Sequence, residues 1–460
     1  MSSANTIGMW IGDSFAEIAS NASNAPVGKV ESQTAVTRWF LPKKSIADAL
    51  RESLLALGAA AKKGGTLSIA SSRTDSALAK KQGNEPALLV TSGFEAWARL
   101  SSKNSMHVPS LRADRAWFPT SVEQTFGIDE RITNDGVVER PLKMEELEFL
   151  VAKLQLTKTK EVAIGFLHAD KYPDHERQAA QFLREKGFKV VASHEIPGSN
   201  ALPESARWRK TLEAAYAETL VQEDIESLRA VFKEQELDES WNILFWGDKS
   251  QTTLPTAASI RGGVETAAGQ CLPLSSELGY FFGLEEFLLL RKTEKDGATS
   301  IRASLLPVQP TCQIGASAWP FPSWTSVDRG YEPGPMLFGK SHQLTILDVL
   351  YVRGHLKTDI EAFSERVQEK AQPRILEALT TLGKDLTEPG RRSDAKLIAE
   401  DLETSAIERL ALELNSVDAK AKPVYVFGPF APLFLPLLQK RRPDVKFVYD
   451  AHSTLAGARV

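Results

Sequence analysis

The stretch from Thr6 to Ser20, TIGMWIGDSFAEIAS, contains residues whose types and spacing could hold a phosphate group. Apolar residues with a period of two precede Gly12-Asp13-Ser14, and a second apolar run follows, so the stretch predicts two strands joined by a turn. Gly12 and Ser14 would place a flexible backbone and a hydroxyl at the tip of this hairpin. The alternative is an ordinary N-terminal hairpin, because short motifs often match by chance.

A second group of hydroxyls follows the predicted strand Leu67-Ser68-Ile69-Ala70. Ser71 and Ser72 begin this group, and a helix is predicted from Ala77 to Lys81. Hydroxyls at a strand-to-helix junction could bind phosphate through the N-terminus of the helix. They could equally cap that helix, which is the commoner role.

Two other polar groups are weaker candidates for chemistry. His168, Asp170, His175 and Glu176 could suggest a metal site, but their loose spacing does not give a fixed ligand set, so we expect no metal. Near the C-terminus, Asp450-Ala451-His452-Ser453 contains residue types found in nucleophilic catalysis. Nothing in the sequence places them in hydrogen-bond geometry, and we expect a polar loop there.

Size and composition exclude several classes of function. At 460 residues the chain is long enough for two or three domains. The net charge of −4 predicts no general attraction to nucleic acid or to an anionic membrane. No apolar run is long enough to span a bilayer, and no secretory signal is recognisable. Cys271 and Cys312 are the only cysteines and fit a reducing cytosol, so we expect a cytoplasmic protein.

Strands and helices alternate along the chain, which predicts an α/β fold. The unit formed by strand Glu161 to Leu167, helix His175 to Lys186 and strand Phe188 to Ala192 implies parallel pairing through a right-handed crossover. In the first half, Asn134-Asp135-Gly136 predicts a hairpin turn. In the second half, Leu284 to Arg291 and Ile301 to Val308 predict a pair of strands.

Several blocks of the sequence together resemble the A-type subunit of the hydantoinase/oxoprolinase family. The blocks are SSRTDSALAKKQGNEPALLVTSGFEAW from Ser71 to Trp97, several segments between Glu130 and Tyr216, EPGPMLFGKSHQLTILDVLYVRGHL at 332–356, and VYVFGPFAPLFL at 424–435. Their order along the chain matches the order in the family, and the resemblance covers nearly the whole sequence.

The resemblance implies a two-lobed, actin-like ATPase fold of the kind found in sugar kinases, with lobes at residues 1–240 and 241–460. Family members use ATP to open cyclic amides such as hydantoins or 5-oxoproline. Relatives are subunits of acetone- and acetophenone-type carboxylases. A partner subunit of the same family, or self-association, is therefore expected. Family A subunits are usually longer, so the resemblance also implies a shortened chain.

The phosphate-binding loops differ from the family pattern. In the first loop, Trp10 and Asp13 replace an aspartate and a glycine, and the negative charge of Asp13 would repel a phosphate. In the second loop only Gly283 is retained, and Leu284 and Glu286 stand where hydroxyls would be. These changes argue against ordinary ATP turnover, so we expect no bound nucleotide, with Mg-ATP as the alternative.

If a nucleotide does bind, the resemblance assigns its contacts to eight positions. They are Gly12, Ser14, Ser71, Ser72, Gly262, Gly263, Asp348 and Gly428.

Three functions remain open from the sequence. The first is a non-catalytic or structural subunit with a decayed ATP site, acting beside an active partner. The second is an active ATP-dependent hydrolase of cyclic amides, or a ketone carboxylase subunit, with a rearranged loop. The third is a sensor that binds a small molecule without chemistry.

Overall fold

The computed structural model describes residues 5–13, 15–21, 34–41, 45–99, 117–237, 239–248, 250–295, 298–306, 311–324, 336–338, 344–356, 365–416 and 422–450. Contacts between residues group the chain into two compact units. Unit 1 consists of Met1–Lys80, Ser227–Thr253 and Gly262–Val460, and unit 2 consists of Lys81–Glu226 and Leu254–Arg261. The lobe boundary near residue 240 stays a prediction, because these units are defined by contacts and interleave along the chain.

Strands occur throughout both units. In chain order they are β1 (Asn5–Ile11), β2 (Phe15–Asn21), β3 (Thr34–Phe40), β4 (Gly65–Ser71), β5 (Ala87–Thr91), β6 (Thr125–Ile128), β7 (Arg131–Ile132), β8 (Val138–Arg140), β9 (Glu161–Gly165), β10 (Lys189–Ala192), β11 (Trp241–Trp246), β12 (Gln251–Thr252), β13 (Leu278–Phe282), β14 (Phe287–Lys295), β15 (Ala298–Leu305), β16 (Thr311–Ile314), β17 (Ser317–Pro320), β18 (Val424–Phe427) and β19 (Phe447–Asp450).

Helices alternate with the strands, as the sequence predicts for an α/β chain. They are α1 (Ile46–Leu57), α2 (Arg73–Lys80), α3 (Met144–Leu156), α4 (Asp174–Glu185), α5 (Glu204–Glu234), α6 (Ala257–Ile260), α7 (Gly263–Gly269), α8 (Ile346–Val352), α9 (Glu365–Gly383), α10 (Pro389–Arg392), α11 (Ala395–Glu413) and α12 (Ala431–Arg441). Within the described ranges, no helix combines the length and apolarity needed to cross a bilayer.

Unit 1 contains two large sheets with the same strand order. The first sheet runs β3-β2-β1-β4-β11, with β12 added at the edge, and the second runs β15-β14-β13-β18-β19. In the first sheet β1 pairs antiparallel with β2 and parallel with β4, and β4 pairs parallel with β11. In the second sheet β13 pairs antiparallel with β14 and parallel with β18, and β18 pairs parallel with β19. The chain therefore builds the same arrangement twice.

The predicted N-terminal hairpin is confirmed, and its first strand is central in the first sheet. β1 lies between β2 and β4, and Met9 is paired with both Ile18 and Ile69. A central strand has neighbours on both edges and is covered on both faces, which explains why Ile7, Met9 and Trp10 are all buried. The turn that follows β1 is thus held on a rigid part of the fold.

Unit 2 contains a four-stranded parallel sheet in the order β10-β9-β5-β6. The predicted unit of strand, helix and strand is confirmed as β9, α4 and β10. Apolar side chains of α3 and α4 pack on this sheet with those of the strands, and they include Leu89, Leu147, Leu150, Leu154, Val162, Ile164 and Leu183. The predicted turn at Asn134-Asp135-Gly136 joins β7 to β8, and Gly136 has a φ of 87°.

Two sequence-based boundaries are wrong near the candidate phosphate loops. The strand predicted from Leu284 begins at Phe287, because Leu284, Glu285 and Glu286 form a turn closed by a hydrogen bond from the Gly283 N–H to the Glu286 carbonyl. The helix predicted from Ala77 begins four residues earlier, at Arg73. Ser72 therefore directly precedes α2. His452 and Ser453 lie outside the described residues.

Candidate functional site

Two equivalent turns form the centre of the candidate site in unit 1. The first turn (Gly12–Phe15) joins β1 to β2, and the second turn (Gly283–Glu286) joins β13 to β14. The Gly12 N–H donates to the Phe15 carbonyl and the Gly283 N–H donates to the Glu286 carbonyl, both at 2.9 Å. Each turn thus connects the first two strands of its sheet in the same way. Ser14, a predicted site residue in the first turn, lies outside the described residues.

The carboxylate of Glu285, in the second turn, binds to the backbone of the first turn. The Asp13 N–H donates to Glu285 Oε2 at 2.6 Å, and the Phe15 N–H donates to Glu285 Oε1 at 3.1 Å. Backbone N–H groups that converge in a turn form an anion-binding concavity. Glu285 is only 2% exposed, so an internal carboxylate occupies this concavity away from solvent.

Gly12 is required by the close approach of the Glu285 carboxylate. A Cβ atom at Gly12 would lie 2.4 Å from Glu285 Oε2 and 2.7 Å from Cη2 of Trp10. Both distances are shorter than any ordinary contact. Trp10 itself is buried in the core, so its indole packs against other core residues next to the turn.

Asp13 faces two cations of α2. The carboxylate of Asp13 forms an ion pair with Lys80 Nζ, and its Oδ1 lies 3.9 Å from Arg73 Nη1. The Asp13 and Lys80 side chains are mostly buried, at 12% and 14% exposed, so the attraction between them is only partly screened by water. The negative charge of Asp13 is therefore balanced within the protein.

A small cavity next to the two turns brings three predicted site residues together. Its volume is about 20 Å³, enough for a single water molecule. The residues that line it are Ser71, Ser72, Asp75, Gly262, Val264, Glu265, Glu286 and Leu305. Ser71, Ser72 and Gly262 were predicted from the sequence, whereas the three carboxylic acids were not.

The hydroxyls of Ser71 and Ser72 contact the protein around the start of α2. Ser71 Oγ accepts a hydrogen bond from the Arg73 N–H at 3.3 Å, which is a local contact at the helix start. The Ser72 N–H donates to the Ile11 carbonyl at 3.0 Å, and the Ser72 side chain also bonds to Glu286. Ser71 thus contributes to the helix start, and Ser72 links β1 to the second turn.

Glu286 has a buried carboxyl group. Its pKa is raised well above the ordinary range, first by burial and then by the negative charge of Glu265. The carboxylates of Asp75 and Glu285 raise the pKa further, while the hydrogen bond with Ser72 lowers it. Burial without a paired cation disfavours the charged form of a carboxyl group. The protonated form of Glu286 is the one that suits this cavity.

Gly262 and Gly263 allow close packing at the start of α7. Gly262 has a φ of 78°, in the left-handed region that favours glycine. A Cβ at Gly263 would lie 2.1 Å from the Trp246 carbonyl oxygen, so only glycine lets α7 approach the end of β11. These two predicted residues have a clear packing role, and only Gly262 lines the cavity.

The other two predicted residues have structural partners elsewhere in unit 1. Asp348, at the start of α8, accepts hydrogen bonds from the N–H groups of Met336, Leu337 and Thr345 and from the Thr345 hydroxyl. Burial raises the pKa of Asp348 to about 6, although these hydrogen bonds lower it. A Cβ at Gly428 would lie 2.4 Å from the Phe282 carbonyl oxygen, so this glycine lets α12 approach the end of β13. Neither residue lines the cavity.

The histidine and acidic residues of unit 2 that suggested a metal site bind separate partners instead. Asp170 pairs with Arg207 at 2.9 Å, and His175 Nδ1 lies 2.7 Å from Glu130. Glu176 accepts hydrogen bonds from Phe166, Ser193 and His194. Across the part of the chain that the structure describes, no group of three or more His, Cys, Asp or Glu side chains is placed so that it could hold a metal ion.

Sequence reasoning missed Glu285, Glu286 and Lys80. Glu286 was noticed only as a replacement for a hydroxyl, Glu285 was not singled out, and Lys80 was simply a residue of a predicted helix. A usable signal was present, because Gly12 and Gly283 each follow an apolar strand and precede a turn of the same length. The pairing of one turn with the other cannot be seen from local sequence patterns.

Comparison with known proteins shows similarity of this sequence to the hydantoinase/oxoprolinase family. Residues 18–187 match the hydantoinase/oxoprolinase N-terminal region. An uncharacterized protein of Methanocaldococcus jannaschii is 23% identical over 400 residues, which cover 75% of this chain and 56% of that protein. The chain therefore spans little more than half the length of this relative.

Two solved structures share the fold. One is the ATP-dependent caprolactamase of Pseudomonas jessenii, with a TM-score of 0.62 and 16% identity over 95% of this chain and 67% of that one. The other is nucleotide-free acetone carboxylase, with a TM-score of 0.63 and 14% identity over the same shares of the two chains. The predicted α/β, actin-like fold is confirmed.

Proposed function

We propose that this chain, which is related to the hydantoinase/oxoprolinase family, is a non-catalytic member of it that acts as a structural subunit beside an active partner. The observation that carries the proposal is the position of the Glu285 carboxylate on the Asp13 and Phe15 N–H groups. The two solved structures are of ATP-dependent enzymes, as their titles state. In this chain, an internal anion takes the donors that a phosphate would need.

A phosphate could reach the first turn only by displacing Glu285. It would then lie close to the displaced carboxylate. Two like charges about 4 Å apart repel by about 1 kcal/mol in water and by about 4 kcal/mol at an effective dielectric constant of 20. Displacement would also leave Glu285 without the hydrogen bonds that compensate for its burial. Both terms favour the self-bound state over a nucleotide complex.

The expected partner is an active hydantoinase/oxoprolinase-type subunit, with self-association as the alternative. A subunit that does not itself hydrolyse ATP can still function by supporting a catalytic partner. Purification of the native protein under mild conditions tests this part of the proposal. Recovery of a family subunit in stoichiometric amount supports it, and recovery of a monomer that hydrolyses ATP contradicts it.

The proposal includes a cytoplasmic location, as the sequence predicts. Cys271 and Cys312 are both buried thiols. Burial raises the pKa of the Cys312 thiol to about 11, so its thiolate is scarce at neutral pH. Buried thiols are compatible with a reducing compartment.

Titration calorimetry with MgATP tests the state of the nucleotide site. We expect no measurable binding to the wild-type protein, and a gain of affinity for inorganic phosphate in Glu285→Ala, because that substitution frees the turn donors. Glu294→Ala is the matched control, since Glu294 lies on β14 of the same unit with its side chain 69% exposed. Tight binding of MgATP to the wild type, unchanged in Glu285→Ala, would contradict the proposal.

The main alternative remains an active ATP-dependent hydrolase of cyclic amides or a ketone carboxylase subunit. The retained cluster of Ser71, Ser72 and Gly262 around one cavity is the observation that favours it. ATP hydrolysis assays with hydantoin, 5-oxoproline and caprolactam distinguish the two functions. Stimulation by any of these amides in the purified chain would establish the alternative.

A further inference from the structure

Glu286 is surrounded by acids that come from three different parts of unit 1. Asp75 belongs to α2, Glu265 belongs to α7, and Glu285 precedes Glu286 in the second turn. Asp75, Glu265 and Glu286 line the same cavity of about 20 Å³, and Glu286 is only 5% exposed. With Asp75, Glu265 and Glu285 beside it, the buried Glu286 carboxyl group is harder to ionise.

Two cations of α2, Arg73 and Lys80, lie beside Asp13 in the first turn. The Glu286 carboxyl group bonds to the Ser72 hydroxyl, and this hydrogen bond compensates only in part for burial. The neutral, protonated carboxyl group is therefore the form that this cavity stabilises, and ionisation would add a negative charge beside three others.

The backbone connects Glu286 directly to the residue that occupies the first turn. Glu285 and Glu286 are consecutive, and the Gly283 N–H donates to the Glu286 carbonyl at 2.9 Å, which closes the second turn. The two carboxyl groups therefore extend from one short turn, Glu286 to the cavity and Glu285 to the Asp13 and Phe15 N–H groups. A change in the backbone of this turn would act on both of them.

We propose that Glu286 makes the second turn a proton-linked latch on the first turn. With Glu286 protonated, the turn is closed and Glu285 occupies the anion-binding concavity. When Glu286 loses its proton to solvent, repulsion from Asp75, Glu265 and Glu285 opens the turn and uncovers the Asp13 and Phe15 N–H groups. The inference rests on the assignment of Glu285 as the internal occupant, and it adds the condition under which that occupant leaves.

Hydrogen exchange at the Asp13 and Phe15 amides of the full chain tests the latch. Protection factors are measured by mass spectrometry or NMR from mildly acidic to alkaline pH, after correction for the pH dependence of chemical exchange. If opening releases one proton, protection falls by about tenfold for each pH unit above the titration of Glu286. Glu286→Gln, which cannot ionise, is expected to keep both amides protected over the whole range.

Glu294→Gln serves as the matched control and is expected to follow the wild type, because Glu294 is an exposed residue of the adjoining strand. Near-ultraviolet circular dichroism of each variant verifies that it is folded. An identical pH profile in wild type and Glu286→Gln overturns the latch. Absence of protection at every pH also overturns it, because the two amides would then not be covered.

The experiment is independent of nucleotide. If the wild type binds MgATP tightly but its two amides still lose protection with rising pH in a Glu286-dependent manner, the proposed function fails and the latch stands. If MgATP does not bind and the protection is independent of pH, the proposed function stands and the latch fails.

Discussion

The backbone N–H of Asp13 donates a 2.6 Å hydrogen bond to the carboxylate of Glu285, 272 positions further along the chain. The bond joins the turn that follows the central strand of the first sheet to the equivalent turn of the second sheet. Hydrogen bonds with one charged partner contribute more than neutral ones, about 1.5–3 kcal/mol. The contact thus links the two sheets of unit 1 at the position where the proposed function depends on it.

Glu285→Gln is expected to destabilise the protein. The amide keeps the size of the side chain but presents only one oxygen acceptor, and that oxygen is neutral. One of the two donors on the first turn therefore loses its acceptor, and the other keeps only an uncharged one. A loss of roughly 1–3 kcal/mol in the free energy of unfolding is expected, measured by urea denaturation. Glu294→Gln on the same sheet should change the value by less than about 0.5 kcal/mol. Equal values for the two variants would show that the contact contributes nothing.

Gly12→Ala is expected to disrupt the first turn. The new methyl group would lie 2.4 Å from Glu285 Oε2 and 2.7 Å from the Trp10 ring, and neither neighbour is at the free end of an exposed side chain. Overpacking of this kind costs about 1–3 kcal/mol. Gly390→Ala is the control, because its Cβ meets no atom within 4 Å and Gly390 lies in α10. The midpoint of thermal unfolding should fall for the first variant only.

The ion pair of Lys80 with Asp13 can be tested by a double-mutant cycle. Lys80→Met leaves a mostly buried carboxylate with less compensation, and Asp13→Asn leaves a mostly buried ammonium group. Each single variant should be destabilised, and the double variant should be less destabilised than the sum of the two. The expected coupling is about 0.5–3 kcal/mol by urea denaturation. Strict additivity would mean that the two charges do not interact.

The stability of the wild type should decrease as pH rises through the titration of Glu286. Its pKa is raised in the folded protein, so the folded state keeps a proton that the unfolded chain releases. Between the ordinary carboxyl pKa of the unfolded chain and the raised pKa of Glu286 in the folded protein, the folded state binds more protons than the unfolded state. The free energy of unfolding therefore falls with increasing pH in that range. Glu286→Gln should flatten this part of the profile, measured by thermal unfolding in a pH series. A steeper profile in the variant would contradict the sign.

Asp348 should contribute a second pH dependence. Burial raises its pKa from 3.8 to about 6, so stability is fullest below the ordinary carboxyl range and decreases up to about pH 6. Asp348→Ala would also leave the N–H groups of Met336, Leu337 and Thr345 without their acceptor. Each unsatisfied buried donor costs about 1–3 kcal/mol, so this variant should be strongly destabilised at every pH.

Local pattern was sufficient for several elements of both units. The period of two before Gly12 predicted β1, and the turn residues Asn134-Asp135-Gly136 predicted the connection between β7 and β8. The alternation of apolar runs with amphipathic segments predicted β9, α4 and β10 with parallel pairing. Each of these features depends on residues a few positions apart, so the sequence contains the whole signal.

Prediction from the sequence failed where the same residues fit two different local structures. Leu284, Glu285 and Glu286 adjoin an apolar run, which made a longer strand the natural prediction, and the hydrogen bond that closes the second turn was not visible. Ser71 and Ser72 were correctly placed at a strand-to-helix junction, but whether they cap a helix or face a cavity depends on β1, α7 and the second turn.

By itself, the sequence determined the α/β fold and the hairpin turn at Gly12, and the family resemblance pointed to a second turn at Gly283. Only the tertiary structure decided that Glu285 binds the first turn, because a hydrogen bond between Asp13 and Glu285 depends on the packing of two sheets formed far apart in the chain. The same packing encloses Glu286 among three other acids. A charge state set by enclosure cannot be deduced from the order of residues.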